Sequence, residues 1–302
     1  MTSTDNSPQE EALPRPDAAA RPRAGAITLV ATPIGNTQDA SARLLAALVH
    51  ADVVAAEDTR RLLALAGRLG VRVGGRLVAV HEHNERGRAP ELVTAAQAGQ
   101  AVVLVTDAGM PSVSDPGYRV VEAAHQAAVP VTVAPGPSAV LTALALSGLP
   151  SDRFCFEGFL PRRPGEQQRH LRSLAEETRT MVFFESPRRV HETLQRMTDT
   201  WGKDRPAVLC RELTKTYEEV RRATLGQLAR DTAAEEVLGE VVLVVGGASA
   251  SAADPEAAAR EALSRSDQGE RLKDAAAQVA QEAGLRTNQV YRTALALREA
   301  RD

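Results

Sequence analysis

The sequence predicts an α/β protein with two α/β domains followed by a small helical segment. Three observations predict it. From residue 26 onward, short β-branched runs alternate with stretches of helical periodicity, a second set of such elements begins after residue 150, and the end of the chain is alanine-rich and helical. The length of 302 residues allows about two domains and an appendage.

The first domain is predicted over residues 25–148. Strands alternate with helices here, which favours a mainly parallel sheet covered on both faces, with ligands bound outside the carboxyl ends of the strands. Residues 41–49 form a helix with one apolar face. The predicted strands are 27–31, 53–56, 77–80, 102–106 and 131–134.

The second domain is predicted over residues 149–247, after a break at Gly148-Leu149-Pro150. Its predicted strands are 154–158, 181–185, 207–211 and 241–245, with helices near 166–176 and 188–200. Residues 248–254 are small and polar and are typical of a linker.

The two ends of the chain differ in character. Residues 255–302 are predicted to be helical, with a turn near Gly284 that suits either a helix-turn-helix or a hairpin packed on the body. Residues 1–24 lack apolar periodicity and are predicted to be a disordered tail, although Arg15, Arg21 and Arg23 leave an RNA-contacting arm open.

Composition excludes several classes of protein. The net charge of −3 excludes a cationic field over the whole molecule, so any nucleic-acid contact must rest on local arginine clusters. Two cysteines form neither a four-ligand zinc site nor a disulfide framework, which fits a reducing cytoplasm. We expect no membrane span and no bound metal, since no apolar run reaches about 20 residues and no ligand cluster stands out.

Three stiff, glycine-containing loops follow predicted strands and indicate a shared crevice. They are Thr32-Pro33-Ile34-Gly35-Asn36, the segment 107–117 and Pro135-Gly136-Pro137-Ser138. None matches a dinucleotide or triphosphate fingerprint. A crevice with backbone donors and carboxylates, but no phosphate-binding lysine, is chemically compatible with S-adenosylmethionine, a zwitterionic nucleoside that carries a sulfonium cation.

Other polar clusters have two interpretations each. Glu57, Asp58 and Arg60 follow the second strand, where they either cap a helix or face the crevice. His81 and His83 suggest a metal site or, more simply, a polar loop that faces a substrate. Arginines in three loops of the second domain could neutralise phosphates or be scattered solvated charge; they include Arg162, Arg163, Arg188, Arg189, Arg211, Arg221 and Arg222.

These motifs carry a resemblance. The segments VATPIGN, AEDTR, HNE, TDAGMPSVSDPG, PGPSA, FFESPRR and RELTKTYEEVRR occur in this order between residues 26 and 247. The chain resembles the tetrapyrrole-methylase-like (class III) methyltransferase superfamily and, within it, the ribosomal RNA small subunit methyltransferase I family. The resemblance implies two domains around an S-adenosylmethionine cleft, a homodimer, and 2′-O-methylation of a cytidine in the decoding region of 16S rRNA or the small ribosomal subunit.

The resemblance also implies positions for the cofactor site, but it does not identify the catalytic base. Base candidates on the chain are Glu57, Asp58, His83 and Glu185, and Arg60 could bind phosphate or stabilise developing negative charge. The expected cofactor-binding residues are Pro33, Ile34, Gly35, Asp107, Ala108, Gly109, Ser112, Ser114, Asp115, Pro137, Ser138, Glu185 and Leu213.

Two alternatives remain open at this point. One is a methylase of a small tetrapyrrole-like ring, against which the arginine-containing loops and the helical end argue. The other is a non-catalytic RNA-binding relative, against which the intact glycine and aspartate loops argue.

Overall fold

A computed structural model describes residues 21–248 and 255–300. Most of the predicted tail and nearly all of the predicted linker therefore lie outside the described residues. The strands of the described part are β1 (Ala26–Val30), β2 (Val53–Ala56), β3 (Arg76–Ala79), β4 (Ala101–Val105), β5 (Val131–Ala134), β6 (Phe154–Phe159), β7 (Thr180–Glu185), β8 (Pro206–Arg211), β9 (Glu219–Thr224) and β10 (Val241–Val245).

Helices alternate with these strands up to β8 and then dominate the end of the chain. They are α1 (Ala42–His50), α2 (Thr59–Arg68), α3 (Glu85–Gln97), α4 (Tyr118–Gln126), α5 (Ala139–Ser147), α6 (Pro164–Ser173), α7 (Val190–Trp201), α8 (Leu225–Ala234), α9 (Pro255–Asp267), α10 (Leu272–Glu282) and α11 (Thr287–Glu299). No helix of residues 21–248 and 255–300 is long and apolar enough to cross a membrane.

The first sheet is parallel throughout, in the order β3-β2-β4-β1-β5. Its central strand β4 is fully buried because Val102 and Leu104 face one apolar cluster while Val103 and Val105 face another. Helices cover both faces, as the alternation of strands and helices predicts. The carboxyl ends of β1, β4 and β5 consequently meet at one edge, where the three stiff loops begin.

The second sheet is mixed, in the order β6-β7-β10-β8-β9. Only β6 and β7 pair in parallel, whereas β10 runs antiparallel to β7 and β8, and β8 runs antiparallel to β9. The edge strand β9 is absent from the strands predicted above. Its sequence, EVRRAT, is only half-buried and carries charged side chains, so it lacks the continuous apolar run that marks the other strands.

Helix α5 connects the two sheets. It ends at Gly148, which adopts a left-handed φ of 73° at the predicted break in the chain. Its apolar side chains pack onto the second sheet, where Val140 and Leu144 share a cluster with Val182 and Val244. The helix that follows the last strand of the first sheet is thus buried against the second sheet, and this contact sets the two sheets side by side.

The C-terminal segment contains three helices that pack on one another through small side chains. Ala262, Ala275 and Ala276 are fully buried between them together with Val290. Gly284, with a φ of 65°, lies in the turn directly after the C-cap of α10, where a helix-ending glycine is predicted. Alanine permits close helix approach, which explains how a segment with few large apolar residues forms its own core.

A buried carboxylate fixes the start of α4. The N-cap residue of this helix is Gly117, which offers no side-chain cap. Instead, Oε1 of Glu85, at the start of α3, accepts hydrogen bonds from the backbone N–H groups of Gly117 and Arg119, both at 2.8 Å. Glu85 is 7% exposed, so a negative charge at the positive end of α4 joins two helices and holds the end of the 107–117 loop.

We expect Glu85→Ala to lower the free energy of unfolding by about 2–4 kcal/mol, because it leaves buried N–H donors without a partner and removes a charge-assisted cap. Chemical denaturation followed by circular dichroism measures the change. Glu82→Ala, an exposed glutamate three residues earlier, is the matched control and should change stability by less than about 0.5 kcal/mol. Equal effects of the two substitutions would contradict this assignment of Glu85.

Candidate functional site

A cavity of about 380 Å³ opens where the carboxyl edge of the first sheet meets the second sheet. This volume lies in the range of roughly 300–1,000 Å³ that small-molecule sites occupy. Both halves of the chain contribute to its wall, as the predicted cleft requires. The lining residues are Ile34, Ala108, Gly109, Met110, Val113, Ser114, Asp115, Ser138, Ala139, Val140, Phe159, Phe184, Glu185, Ser186, Pro187, Gly239, Glu240, Val241 and Val242.

The first two loops are tied together beside the cavity. The N–H of Thr32 donates to the carbonyl of Gly109 at 2.9 Å, and the N–H of Gly109 donates back to the carbonyl of Thr32 at 3.1 Å. Gly109 adopts a φ of 86°, which suits a residue without a Cβ. These two hydrogen bonds hold the loops so that Ile34 and Ala108 both line the cavity.

The loop between β4 and α4 is strained on either side of Val113. Ser112 and Ser114 have φ values of 70° and 66°, in the left-handed region that L-residues rarely adopt. Such conformations persist only where the surrounding structure enforces them, and they are frequent at ligand-binding sites. Ser114 and Asp115, which follow this bend, both line the cavity.

The third loop leads into the N-terminus of α5. The hydroxyl of Ser138 accepts a hydrogen bond from the N–H of Leu141 at 3.5 Å and thereby caps the helix. Ser138 and Ala139 line the cavity, so the positive end of the α5 dipole faces it. A negatively charged group of a ligand would be stabilised at this end.

The structure divides the expected cofactor-binding residues into two groups. Ile34, Ala108, Gly109, Ser114, Asp115, Ser138 and Glu185 line the cavity. Pro33, Gly35, Asp107, Ser112, Pro137 and Leu213 lie in the same loops or behind them but are absent from its wall.

Gly35 and Leu213 belong to a junction between the two halves of the chain. A Cβ on Gly35 would lie 2.5 Å from Cγ of Lys215 and 3.1 Å from the carbonyl oxygen of Leu213, so glycine permits this close approach. The hydroxyl of Thr214 accepts a hydrogen bond from the N–H of Asn36 at 3.1 Å. Leu213 itself is 6% exposed and packs in the apolar cluster around α5.

Glu185 does not present its carboxylate to the cavity. Its side chain is fully buried, Oε1 accepts from the N–H of Ser186 at 2.7 Å, and Oε2 accepts from the hydroxyl of Thr193 at 2.7 Å. The guanidinium of Arg189 lies 3.6 Å away. Glu185 therefore fixes the turn between β7 and α7, whereas Ser186 and Pro187 form the wall itself.

Three carboxylates lie close together beside the cavity. Burial, together with the negative charges of Glu57 and Asp107, raises the pKa of Asp115 to about 7. Burial likewise raises the pKa of Glu57, with Asp107 adding to the effect. Asp115 has no hydrogen-bond or ion-pair partner among the described residues, whereas Asp107 pairs with Arg61 at 2.9 Å.

The other catalytic candidates lie outside the cavity wall. Asp58 caps α2, accepting from the N–H of Arg60 at 2.8 Å, and its pair with the Arg60 side chain helps to lower its pKa to about 2. A carboxylate with this pKa is a weak base. His83 is exposed in the loop before α3, with its ring 6.1 Å from that of His81.

Several arginines that could have neutralised phosphates serve the fold instead. Arg221 lies on β9, where it pairs with Glu219 at 2.6 Å, and Arg222 donates to the carbonyl of Leu146 at the end of α5. Arg189 donates to the carbonyls of Leu160 and Pro161. No group of three or more His, Cys, Asp or Glu residues within the described part of the chain is arranged to hold a metal ion.

Sequence reasoning missed more than half of the residues that line the cavity. Phe159, Phe184 and Val140 lie on strands or helices, where an apolar residue normally signals core packing. Gly239 and Glu240 lie just before the last strand and belong to no recognised sequence motif. Ser186 and Pro187 were within reach of prediction, since they directly follow Glu185 in the FFESPRR segment.

Comparison with known proteins defines the class. The family described as Tetrapyrrole (Corrin/Porphyrin) Methylases matches residues 26–229 of this chain. The solved structure of the methyltransferase CobJ matches with a TM-score of 0.57 and 24% identity, over 74% of this chain and 95% of that chain. The chain therefore belongs to the tetrapyrrole methylases, and the two-sheet cleft described above is their fold.

Within that class a narrower assignment holds. The chain is 49% identical over 272 residues to the ribosomal RNA small subunit methyltransferase I of Mycobacterium tuberculosis (strain ATCC 25618 / H37Rv), covering 88% of this chain and 93% of that protein. A corresponding protein of Mesorhizobium japonicum is 46% identical over 281 residues, covering 93% of this chain and 95% of that protein. This chain belongs to the ribosomal RNA small subunit methyltransferase I family.

The raised pKa of Asp115 predicts a pH-dependent gain in stability for Asp115→Asn. In the unfolded chain the carboxyl ionises near its model value of 3.8, but in the folded protein it ionises near 7. The protonated carboxyl of Asp115 therefore contributes to the free energy of unfolding at low pH, and this contribution is lost as the pH rises through about 7. We expect Asp115→Asn to have the higher Tm at pH 8, and the difference to shrink towards pH 4.

Differential scanning calorimetry across this pH range measures the effect. Glu122→Gln, which removes a carboxylate paired with Arg119 on the surface of α4, is the control and should give no gain at pH 8. A Tm for Asp115→Asn at or below that of the wild type at pH 8 would contradict the predicted repulsion.

Proposed function

We propose that this chain transfers a methyl group from S-adenosylmethionine to small-subunit ribosomal RNA, at the ribose 2′-oxygen of a cytidine in the decoding region. The observation that carries the proposal is identity of 49% over most of the chain to a ribosomal RNA small subunit methyltransferase I, combined with a cavity formed by the resembling motifs. The choice of a cytidine as the target nucleotide, and of its 2′-oxygen as the methylated atom, rests on the family resemblance of the sequence motifs.

The residues of the cavity fit this cofactor. Its wall contains Asp115 but no lysine, arginine or histidine, which suits a sulfonium cation. Ile34, Val140 and Phe184 supply apolar surface for a nucleoside base, and the N-terminus of α5 at Ser138 suits a carboxylate. When bound, the cofactor supplies an electrophilic methyl group.

The protein's part in the reaction is positioning and proton removal. The cavity must align the ribose oxygen with the methyl carbon and exclude water, an effect that can lower a barrier by about 7–11 kcal/mol. Asp115 is the side chain that best suits proton acceptance, because it lines the cavity and its pKa near 7 allows it to gain and lose a proton near neutral pH. Glu57, a neighbour that helps to raise this pKa, acts through Asp115.

Three further proposals accompany this function. The cofactor-binding residues outside the cavity wall, such as Asp107 and Gly35, act by holding the lining loops in place. The protein works as a homodimer, as the resemblance implies. It acts in the cytoplasm, which agrees with the free thiols of Cys155 and Cys210.

Methyl transfer to ribosomal RNA is the direct test. The purified protein is incubated with radiolabelled S-adenosylmethionine and small ribosomal subunits, or protein-free 16S rRNA, from cells that lack this modification. We expect label in 16S rRNA, and mapping of ribose methylation should locate it at one cytidine of the decoding region. Label in uroporphyrinogen III but not in rRNA would contradict the proposal, and so would failure to bind the cofactor.

Asp115→Asn tests the proton acceptor. We expect kcat to fall by about 10²–10⁴-fold, the usual contribution of a general base, while binding of rRNA is retained. The wild-type rate should rise with pH through an inflection at or below about 7, since a bound cation lowers the pKa, and the variant should lack this inflection. Glu122→Gln is the control, and an unchanged pH profile in Asp115→Asn would remove Asp115 from this role.

A further inference from the structure

A second, smaller pocket lies on the first sheet, apart from the cavity. It has a volume of about 190 Å³ and lies between α1, strands β1 and β5, and the residues that precede β1. Arg21, Arg23 and Arg43 line it, together with Thr28 and Thr132. No carboxylate is among its lining residues.

The three arginines of this pocket have no acidic partner in the described part of the chain. Some other guanidinium groups of the same domain pair with carboxylates, as in Arg61 with Asp107 at 2.9 Å and Arg76 with Glu91 at 2.6 Å. Like charges that line one pocket repel one another, and a bound anion offsets this repulsion. A pocket of this composition is therefore suited to an anionic ligand.

The available donors match a phosphate group. Arg43 donates one N–H, from Nη1, to the carbonyl of Val133 at 2.9 Å, which fixes its guanidinium beside the edge strand and leaves further N–H groups for a ligand. The hydroxyl of Thr28 is buried without a hydrogen-bond partner within residues 21–248 and 255–300. Arginine binds phosphate oxygens through paired N–H donors, which makes it the usual residue for this purpose.

The position of the pocket relates it to the catalytic cavity. Ala134 lines the pocket and Ser138 lines the cavity, so the two sites are joined by four residues of chain. Four residues span at most about 14 Å, the length of a few nucleotides. Ala134, at the carboxyl end of β5, is on the side of the pocket towards the cavity, whereas Arg21 and Arg23 reach the pocket from the amino end of β1. An RNA strand that leaves the cavity and continues along this face can therefore place a phosphate in the pocket.

We propose that Arg21, Arg23 and Arg43 form a phosphate-binding site for the backbone of the ribosomal RNA substrate, next to the methyl-transfer cavity. The inference rests on the proposed function for the identity of the RNA. It assigns a role to residues that immediately precede β1, ahead of the segment 26–229 that the family match covers. Backbone contacts of this type position RNA without reading its sequence.

The test measures binding of the full-length protein to 16S rRNA as a function of salt concentration. The variants are Arg21→Ala/Arg23→Ala and Arg43→Gln, and the glutamine keeps an N–H donor for the carbonyl of Val133. Loss of one phosphate contact should reduce the slope of log K against log salt by about 1 and weaken binding about tenfold near 0.1 M salt. KM for small subunits should rise correspondingly, with little change in kcat.

The control is Arg72→Gln, an arginine between α2 and β3 that lines neither the pocket nor the cavity. An unchanged salt slope in the pocket variants overturns the proposed site, even where the wild type methylates rRNA. A reduced slope in the pocket variants supports the site, even where no methyl transfer is detected. If the variants lose thermal stability without RNA and keep the wild-type slope, the arginines serve the fold and the proposal is wrong.

Discussion

The packing of α5 onto the second sheet is the contact on which the site depends. Helix α5 follows the last strand of the parallel sheet, yet it buries Val140, Ala143 and Leu144 against strands of the other sheet. Burial of several aliphatic side chains contributes roughly 1.5–3 kcal/mol each. This contact brings the carboxyl edge of one sheet over the other, and the cavity is the space that remains between them.

The sequence predicts the fold well where burial is continuous. The runs that become β2, β4 and β10 are apolar on both faces, so they are recognisable without neighbours. The edge strand β9 escapes prediction because Arg221 and Arg222 give it the composition of a solvated loop, although its partners on β8 lie only 8 to 18 residues earlier in sequence.

The sequence also predicts only part of the candidate site. Loops with glycine, proline and aspartate after strands correctly indicate the crevice, but they do not reveal which residues of each loop face it. Gly35 permits contact with Lys215, Glu85 caps a distant helix, and Glu185 is enclosed by its own hydrogen bonds. The roles of Gly35 and Glu85 depend on long-range partners, whereas Glu185 is held by residues within eight positions of it. Residue type alone does not distinguish such roles from ligand binding.

The left-handed serines beside the cavity have a consequence for directed evolution of this protein. Glycine at position 112 or 114 would relieve unfavourable backbone torsion, so selection for heat resistance alone should enrich it. The same replacement would allow the loop at residues 112–114 to adopt many backbone conformations, and Asp115 would then be held less well in position. Thermotolerant descendants obtained in this way would tend to be poor enzymes, and a screen that couples heat challenge to turnover would retain both serines.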